Sequence, residues 1–294
     1  MSERHAYLIM CHNHFEQLSI ELSLLDYEFN DIYIHVDKRS RLSTKAKAQI
    51  ASAVHLASIT FVHSVKAAWG GDSLMNIELR LLKESTKTPH RYYHLLSGAD
   101  LPLKTQAEIH SFFANTDKDY ISLETSHPHN VNKNFLDRFR YYYPFQNMVG
   151  RNPSGFCYKL ESFQKKLLSL QKKWGIDRTA QANFTYVKGA QWFSITHETA
   201  CYVLKNSKRY QKYFRFTFIP DECFLQTIIS DSPRLENVVD NNLRYIDWER
   251  GAPYTFQASD YEELLHTTAL FARKFDCTID NVIILKLQSQ LLEK

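Results

Sequence analysis

The 294-residue sequence predicts an α/β fold, a mostly parallel mixed sheet flanked by helices. Three observations predict it. Short continuous apolar runs recur through the first half, as strands buried on both faces require. Segments with apolar residues at helical spacing alternate with those runs. Polar residues gather where the strands end, at His12 and Asn13, Asp37 and Lys38, Ser97 to Asp100, and Glu124. Open parallel sheets place their ligand crevice at the carboxyl ends of the strands.

The elements follow in order. "AYLIM" (6–10) is a buried strand, and a helix spans about 14–25. "DIYIHVD" (31–37) alternates Ile32, Ile34 and Val36 and reads as a strand; "SITFV" (58–62) is a third. "GGDSLMNIELRLLKES" (70–85) carries Leu74, Ile77 and Leu81 at helical spacing, with Asp72 or Ser73 as its cap. "YYHLLSGAD" (92–100) is a strand ending in a glycine turn, "QAEIHSFF" (106–113) a helix and "DYISLE" (119–124) a strand. The second half is less regular. It offers a long amphipathic helix over 155–175 with Phe156, Leu160, Phe163, Leu167 and Trp174 as its apolar positions. "AQWFSIT" (190–196) is a strand, "DECFLQTII" (221–229) starts a helix, "LRYIDW" (243–248) is a late strand, and the tail is helical.

Composition narrows the function classes. A net charge of +4 without an arginine-rich run argues against nucleic acid and is compatible with an anionic ligand or membrane surface. Five irregularly spaced cysteines with no CxxC suggest reduced thiols in a cytoplasmic protein. No signal peptide and no bilayer-spanning run is expected. The strings of phosphate-loop NTPases, dinucleotide enzymes and elbow hydrolases are missing.

Several short stretches could carry chemistry. Asp37 in "HVDKRS" can accept hydrogen bonds from a ribose or base, or simply shape a turn. "CHNH" (11–14) brings a thiol and imidazoles together, but no further ligand group stands nearby in the sequence, so it reads as a loop. "TDKD", with Asp117 and Asp119, reads as a solvated turn. In "LFARKFD" (270–276), Arg273 and Lys274 between Phe271 and Phe275 suit a phosphate, or form a basic surface turn. In "FIPDECFLQT" (218–227), Asp221 suits a helix cap, whereas Glu222 lacks a local reason because position 224 is Phe and no capping box forms.

Taken in order, "AYLIMCHN", "IYIHVDK", "SVKAAWGG", "LLSGADLPLKT", "ISLET", "KGAQWFSIT", "IPDECFLQT" and "LFARKFD" resemble glycosyltransferase family 14, the core-2/I-branching β-1,6-N-acetylglucosaminyltransferases and xylosyltransferases. The resemblance implies a compact bacterial member with a single GT-A domain over 1–294, its nucleotide-binding half at 1–125 and its acceptor-binding, catalytic half at 126–294. It implies an inverting, metal-independent reaction that moves a sugar from a UDP-sugar to a glycan hydroxyl. The expected product is a surface polysaccharide. UDP-N-acetylglucosamine is the first donor and UDP-xylose the alternative. Glu222 matches the family's base, Lys274 its phosphate lysine, and Glu124 an acceptor-binding glutamate. Trp192, with Gln191 beside it, is a platform near the sugars. Asp37, Val65 and Trp69 resemble the uridine side. Arg273 joins Lys274 on the donor side, and Asp100 occupies the strand-end position a metal aspartate would take. Arg250 or Arg244 is the arginine expected to partner Lys274. The expected partners are the UDP-sugar and a glycan acceptor, with no cofactor, metal or nucleic acid. The expected location is the cytoplasm, with contact at the inner face of the membrane or with polysaccharide assembly proteins left open. A non-catalytic glycan- or nucleotide-sugar-binding subunit is the rival reading, and a hydrolase pairing Glu222 with Glu124 a third.

Overall fold

The computed structural model describes residues 3–124, 133–251 and 253–293, so the expected boundary between halves at 125/126 lies outside the described residues. The strands are β1 (His5–Cys11), β2 (Asn30–Val36), β3 (Ser58–Phe61), β4 (Tyr92–Ser97), β5 (Asp100–Pro102), β6 (Asp119–Ile121), β7 (Phe193–Thr196), β8 (Val238–Asp240), β9 (Arg244–Ile246) and β10 (Phe271–Arg273). Seven of them form one sheet in the order β3-β2-β1-β4-β7-β6-β8, and β5-β10-β9 form a second. In the large sheet, β7 alone runs antiparallel to its neighbours β4 and β6. The mostly parallel mixed sheet expected from the sequence is therefore present.

Strand periodicity explains the layers. On β1, Ala6 and Leu8 point to one face of the sheet and Tyr7 and Ile9 to the other. Ala6 and Leu8 pack with the helices Asp72–Ser85 and His197–Phe214 through Met75, Ile77, Leu81, Val203 and Phe214. Tyr7 and Ile9 pack with the helices Phe15–Leu24 and Gln106–Ala114 through Leu18, Leu22, Ile109 and Phe113. A third apolar cluster joins the small sheet to the helix Asn281–Leu292 through Leu101, Ala272, Ile283 and Leu287.

The structure corrects several expectations. The strand read over 92–100 ends at Ser97, where Asp100 accepts hydrogen bonds from the Ser97 amide (2.8 Å) and hydroxyl (3.1 Å). That turn sends β5 into the second sheet, against β10. Asp119 is not solvated: it is fully buried and accepts from the Thr196 amide (2.8 Å) and the Thr199 hydroxyl (2.5 Å), fastening the start of the helix His197–Phe214. Only Asp117 of that pair is exposed. Asp221 does not cap a helix. It lies in a 3₁₀ turn, Pro220–Glu222, whose N-cap position is Ile219 with no side-chain bond, and the following helix Phe224–Ser230 is also uncapped. All five cysteines are free, as the sequence suggests.

The helix Phe156–Lys173 is present, but its expected apolar face is divided: Leu160 and Leu167 are half-buried. Gln164 and Gln171 are buried, while Phe156, Phe163 and Trp174 are exposed. Apolar periodicity points those aromatics inward, but the amide side chains hydrogen-bond to the chain beneath and share the inner face with the two leucines, which turns the aromatics out.

Candidate active site

A cavity of about 490 Å³ opens at the carboxyl ends of β1, β2 and β4. His12, Asn13 and His14 follow β1, Asp37 and Arg39 follow β2, and Ser97 ends β4 with Gly98 and Ala99 after it. Arg273 to Asp276, at the end of β10, close one side, and Trp69, Arg151 and Trp192 line the rest. Its size suits a ligand of nucleotide dimensions.

The turns that deliver these residues are built locally. Asp37 is buried and caps the 3₁₀ turn Lys38–Ser40. One oxygen accepts from the Arg39 amide (2.7 Å), and the other from the Arg39 guanidinium (2.7 Å) and the Ala67 amide (3.2 Å). It is a turn aspartate and a cavity residue at once. His35 also lines the cavity; its Nε2 accepts from the Val65 amide (3.1 Å), and burial pushes its pKa down to about 4. Val65 thus supports the wall without lining it. Trp69 packs edge-on against Phe218, with the Arg151 guanidinium 5.6 Å from its ring centre.

Arg273 is held from two sides. It donates to Asp100 at 2.7 Å and to the Ser97 hydroxyl, and its guanidinium lies 4.5 Å from the ring centre of Trp192. Such a stack orients the planar cation. Asp100 is thereby an anchor for Arg273. Lys274 makes no ion pair or side-chain hydrogen bond among the described residues, so its ammonium remains available inside the cavity.

Neither arginine expected to partner Lys274 reaches the cavity. Arg250 is engaged by Asp247, by Asp260 (2.7 Å) and by Glu263 (3.0 Å) in a surface cluster. Arg244 is buried and donates to the Ser194 hydroxyl (2.7 Å) and to the carbonyls of Leu95 (3.1 Å) and Phe193 (2.6 Å); burial pushes its pKa down to about 9. Both are spent on structure. Arg39 and Arg151, which sequence reasoning missed, supply the cavity's other arginines. Arg39 stands in the quoted "HVDKRS", where a cation two residues past a strand-end aspartate is a usable signal; Arg151 carries none.

Glu222, Glu124 and Gln191 lie outside the cavity lining. Glu222 accepts from Arg138 at 3.0 Å and is about one-third exposed. Glu124 pairs with Lys188 at 2.6 Å. Gln191 donates to the buried Glu78 at 2.7 Å, and burial raises the Glu78 pKa. Asp221 is buried beside Glu222, and its Oδ1 has no hydrogen-bond partner among the described residues. Burial first, then the charge of Glu222, pushes its pKa up to about 7.

One segment ties this acidic group to the cavity. The Gly189 amide donates to the Glu222 carbonyl (2.9 Å), the Ala190 carbonyl accepts from Gln226 (2.6 Å), and Trp192 follows in the cavity wall. The position must be glycine, because a Cβ there would lie 1.8 Å from the Ser122 carbonyl oxygen. Gly189→Ala is expected to lower stability by about 1–3 kcal/mol, read as a fall in the urea midpoint at unchanged slope. An unchanged midpoint would show that the segment after β6, at Ser122, yields at no cost.

Among the described residues, one group has the donor set of a metal site: His14, Asp276 and Cys277, whose ligand atoms lie within 4.8 Å of one another at the cavity edge. Two of the three come from the far end of the chain, which is why spacing around "CHNH" does not show them.

A family model described as "Branch: Core-2/I-Branching enzyme" matches residues 5–267. Xylosyltransferase 2 of Rattus norvegicus is 27% identical over 309 residues, covering 96% of this chain and 33% of that protein. Xylosyltransferase 1 of Rattus norvegicus is 25% identical over 285 residues, covering 88% of this chain and 32% of that protein. The chain thus spans about a third of the length of these relatives. The crystal structure of mouse xyloside xylosyltransferase 1, apo form, aligns with a TM-score of 0.41 at 12% identity, covering 93% of this chain and 98% of that one.

Proposed function

The chain belongs to the Core-2/I-Branching enzyme family, and on that premise we propose that it is a glycosyltransferase that moves a sugar from a UDP-sugar to a glycan hydroxyl with inversion. Its sheet is of the GT-A type. The observation that carries the reading is the cation pair at the end of β10, with Arg273 braced by Asp100 and Trp192 and Lys274 in the cavity without an ion-pair partner among the described residues. The departing UDP develops negative charge, and fixed cations aimed at it lower the barrier. The uridine lies along Asp37 and Trp69, and the diphosphate against Lys274 and Arg273.

In this reading Glu222 takes the proton from the acceptor hydroxyl as that oxygen attacks the anomeric carbon. The C–O bond to UDP breaks as the new glycosidic bond forms, and no covalent enzyme intermediate is needed. Glu124 and Trp192 contact the sugars. The xylosyltransferase names of the relatives support UDP-xylose beside UDP-N-acetylglucosamine as donor.

A UDP-release assay with both donors and a panel of glycan acceptors tests the proposal. Acceptor-dependent release is expected. Binding of UDP without release from any donor would favour a non-catalytic subunit, and acceptor-independent release of free sugar a hydrolase. Activity is also expected to survive EDTA, because Lys274 and Arg273 supply the charge. A strict requirement for a divalent cation would overturn that role and direct attention to His14, Asp276 and Cys277.

A further inference from the structure

The helix Phe156–Lys173 buries two glutamines and leaves a line of large apolar residues exposed. Its buried residues are Gln164 and Gln171. Gln164 accepts from the Phe145 amide (3.0 Å) and donates to Gln146 (3.1 Å). Gln171 accepts from the Tyr142 amide (2.7 Å) and donates to the Tyr142 carbonyl (3.0 Å). Four amide hydrogen bonds therefore fix the rotation of this helix, with Leu160 and Leu167 half-buried beside the glutamines and Phe156, Phe163, Leu170 and Trp174 left outside.

The outer surface is ordered. Phe156, Phe163 and Leu170 recur every seven residues, with Trp174 one turn further, and they are 67%, 50%, 41% and 69% exposed. Seven residues are close to two helical turns, so the four form one stripe. Phe163 is tilted against Phe145, with ring centres 5.8 Å apart. Lys159, Lys166 and Lys173 follow the same seven-residue spacing, three positions on from each stripe residue, and form a parallel row beside it. None of the three makes an ion pair among the described residues, whereas Lys165 pairs with Glu161 (2.7 Å) and Lys172 with Asp137 (3.4 Å). Met148, on the short helix that packs against this one, adds exposed apolar surface.

We propose that this face docks on an anionic lipid bilayer, with the aromatic stripe entering the headgroup boundary and the lysine row meeting lipid phosphates. A stripe of Phe, Leu and Trp flanked by unpaired lysines is the pattern of a helix lying in the interface plane. Tryptophan favours that boundary, where its ring and N–H meet different surroundings. A second copy of the chain is a poorer occupant. Pairing the stripe with itself would bring two lysine rows together, and the helix's one acidic residue, Glu161, is already paired with Lys165. The inference is independent of the donor-site reading, because it uses no cavity residue.

Co-sedimentation with vesicles tests it. The wild-type chain is expected to bind phosphatidylglycerol–phosphatidylcholine vesicles at least tenfold more tightly than pure phosphatidylcholine vesicles, with the difference falling as salt rises. The triple variant Lys159→Glu, Lys166→Glu, Lys173→Glu should lose that preference. The double variant Phe156→Ser, Trp174→Ser should weaken binding at every lipid composition. These positions are exposed, so both variants should keep the wild-type unfolding transition and UDP affinity. Equal binding to neutral and anionic vesicles, or a triple variant that binds like wild type, would overturn the proposal. So would a stable lipid-free dimer in sedimentation velocity that the Phe156→Ser, Trp174→Ser variant dissociates, because the second copy would then be the occupant.

Discussion

Replacing Glu222 by Gln is expected to lower kcat by about 10²–10⁴-fold, the usual contribution of a positioned general base, while UDP affinity stays within about twofold. The substitution keeps the side chain's shape and removes its ability to take a proton. Two features of Glu222 suit the role. Arg138 orients its carboxylate (3.0 Å), and its backbone carbonyl is tied to Gly189 (2.9 Å), on the segment that leads to Trp192 and hence to Arg273. Its neighbour Asp221 provides the control. Asp221 is enclosed, with an oxygen that has no partner among the described residues and a pKa pushed up to about 7 by burial. Single-turnover rates of Glu222→Gln and Asp221→Asn, measured beside UDP binding, separate the two carboxylates. If Glu222→Gln turns over at the wild-type rate and Asp221→Asn does not, the base is Asp221.

Lys274→Ala is expected to weaken UDP binding roughly tenfold and lower kcat by about 10²–10³-fold, as for loss of one preorganised charge at the leaving group. The size of the effect follows from how the cavity's cations are used. Arg39 is neutralised by Asp37, Arg273 donates to Asp100, and Arg151 lies over Trp69. Lys274 is the cation with no ion-pair partner among the described residues that also lies at the end of β10. Calorimetric titration with UDP and steady-state kinetics measure the two effects separately. A variant that loses kcat with unchanged UDP affinity would place Lys274 on the transition state alone. Unchanged kcat and affinity together would remove it from the phosphate site.

Much of this site is legible in the sequence because it depends on strand ends. Apolar runs such as "AYLIM" and "DIYIHV" mark the strands, and the residues after them, His12 and Asp37, fall at the crevice without further information. The helix His197–Phe214 escapes notice because its buried residues are interspersed among Lys205, Lys208, Arg209 and Lys212. β10 escapes because "FAR" is too short to alternate, and it becomes a strand only by pairing with β5 and β9.

The sequence by itself determined the alternating α/β order, the carboxyl-end location of the crevice and the presence of Arg273 and Lys274 at one position. Those follow from local periodicity and from residues adjacent in the chain. Tertiary structure decided which charges remain available. Arg250 is consumed by Asp260 and Glu263 and Arg244 by the Leu95 and Phe193 carbonyls, while Lys274 has no ion-pair partner among the described residues. It also decided that the helix Phe156–Lys173 shows its aromatics rather than its glutamines. In each case the cause is a short-range contact between groups distant in the chain. An ion pair or amide hydrogen bond acts over about 3 Å, and no local pattern states which groups will come that close.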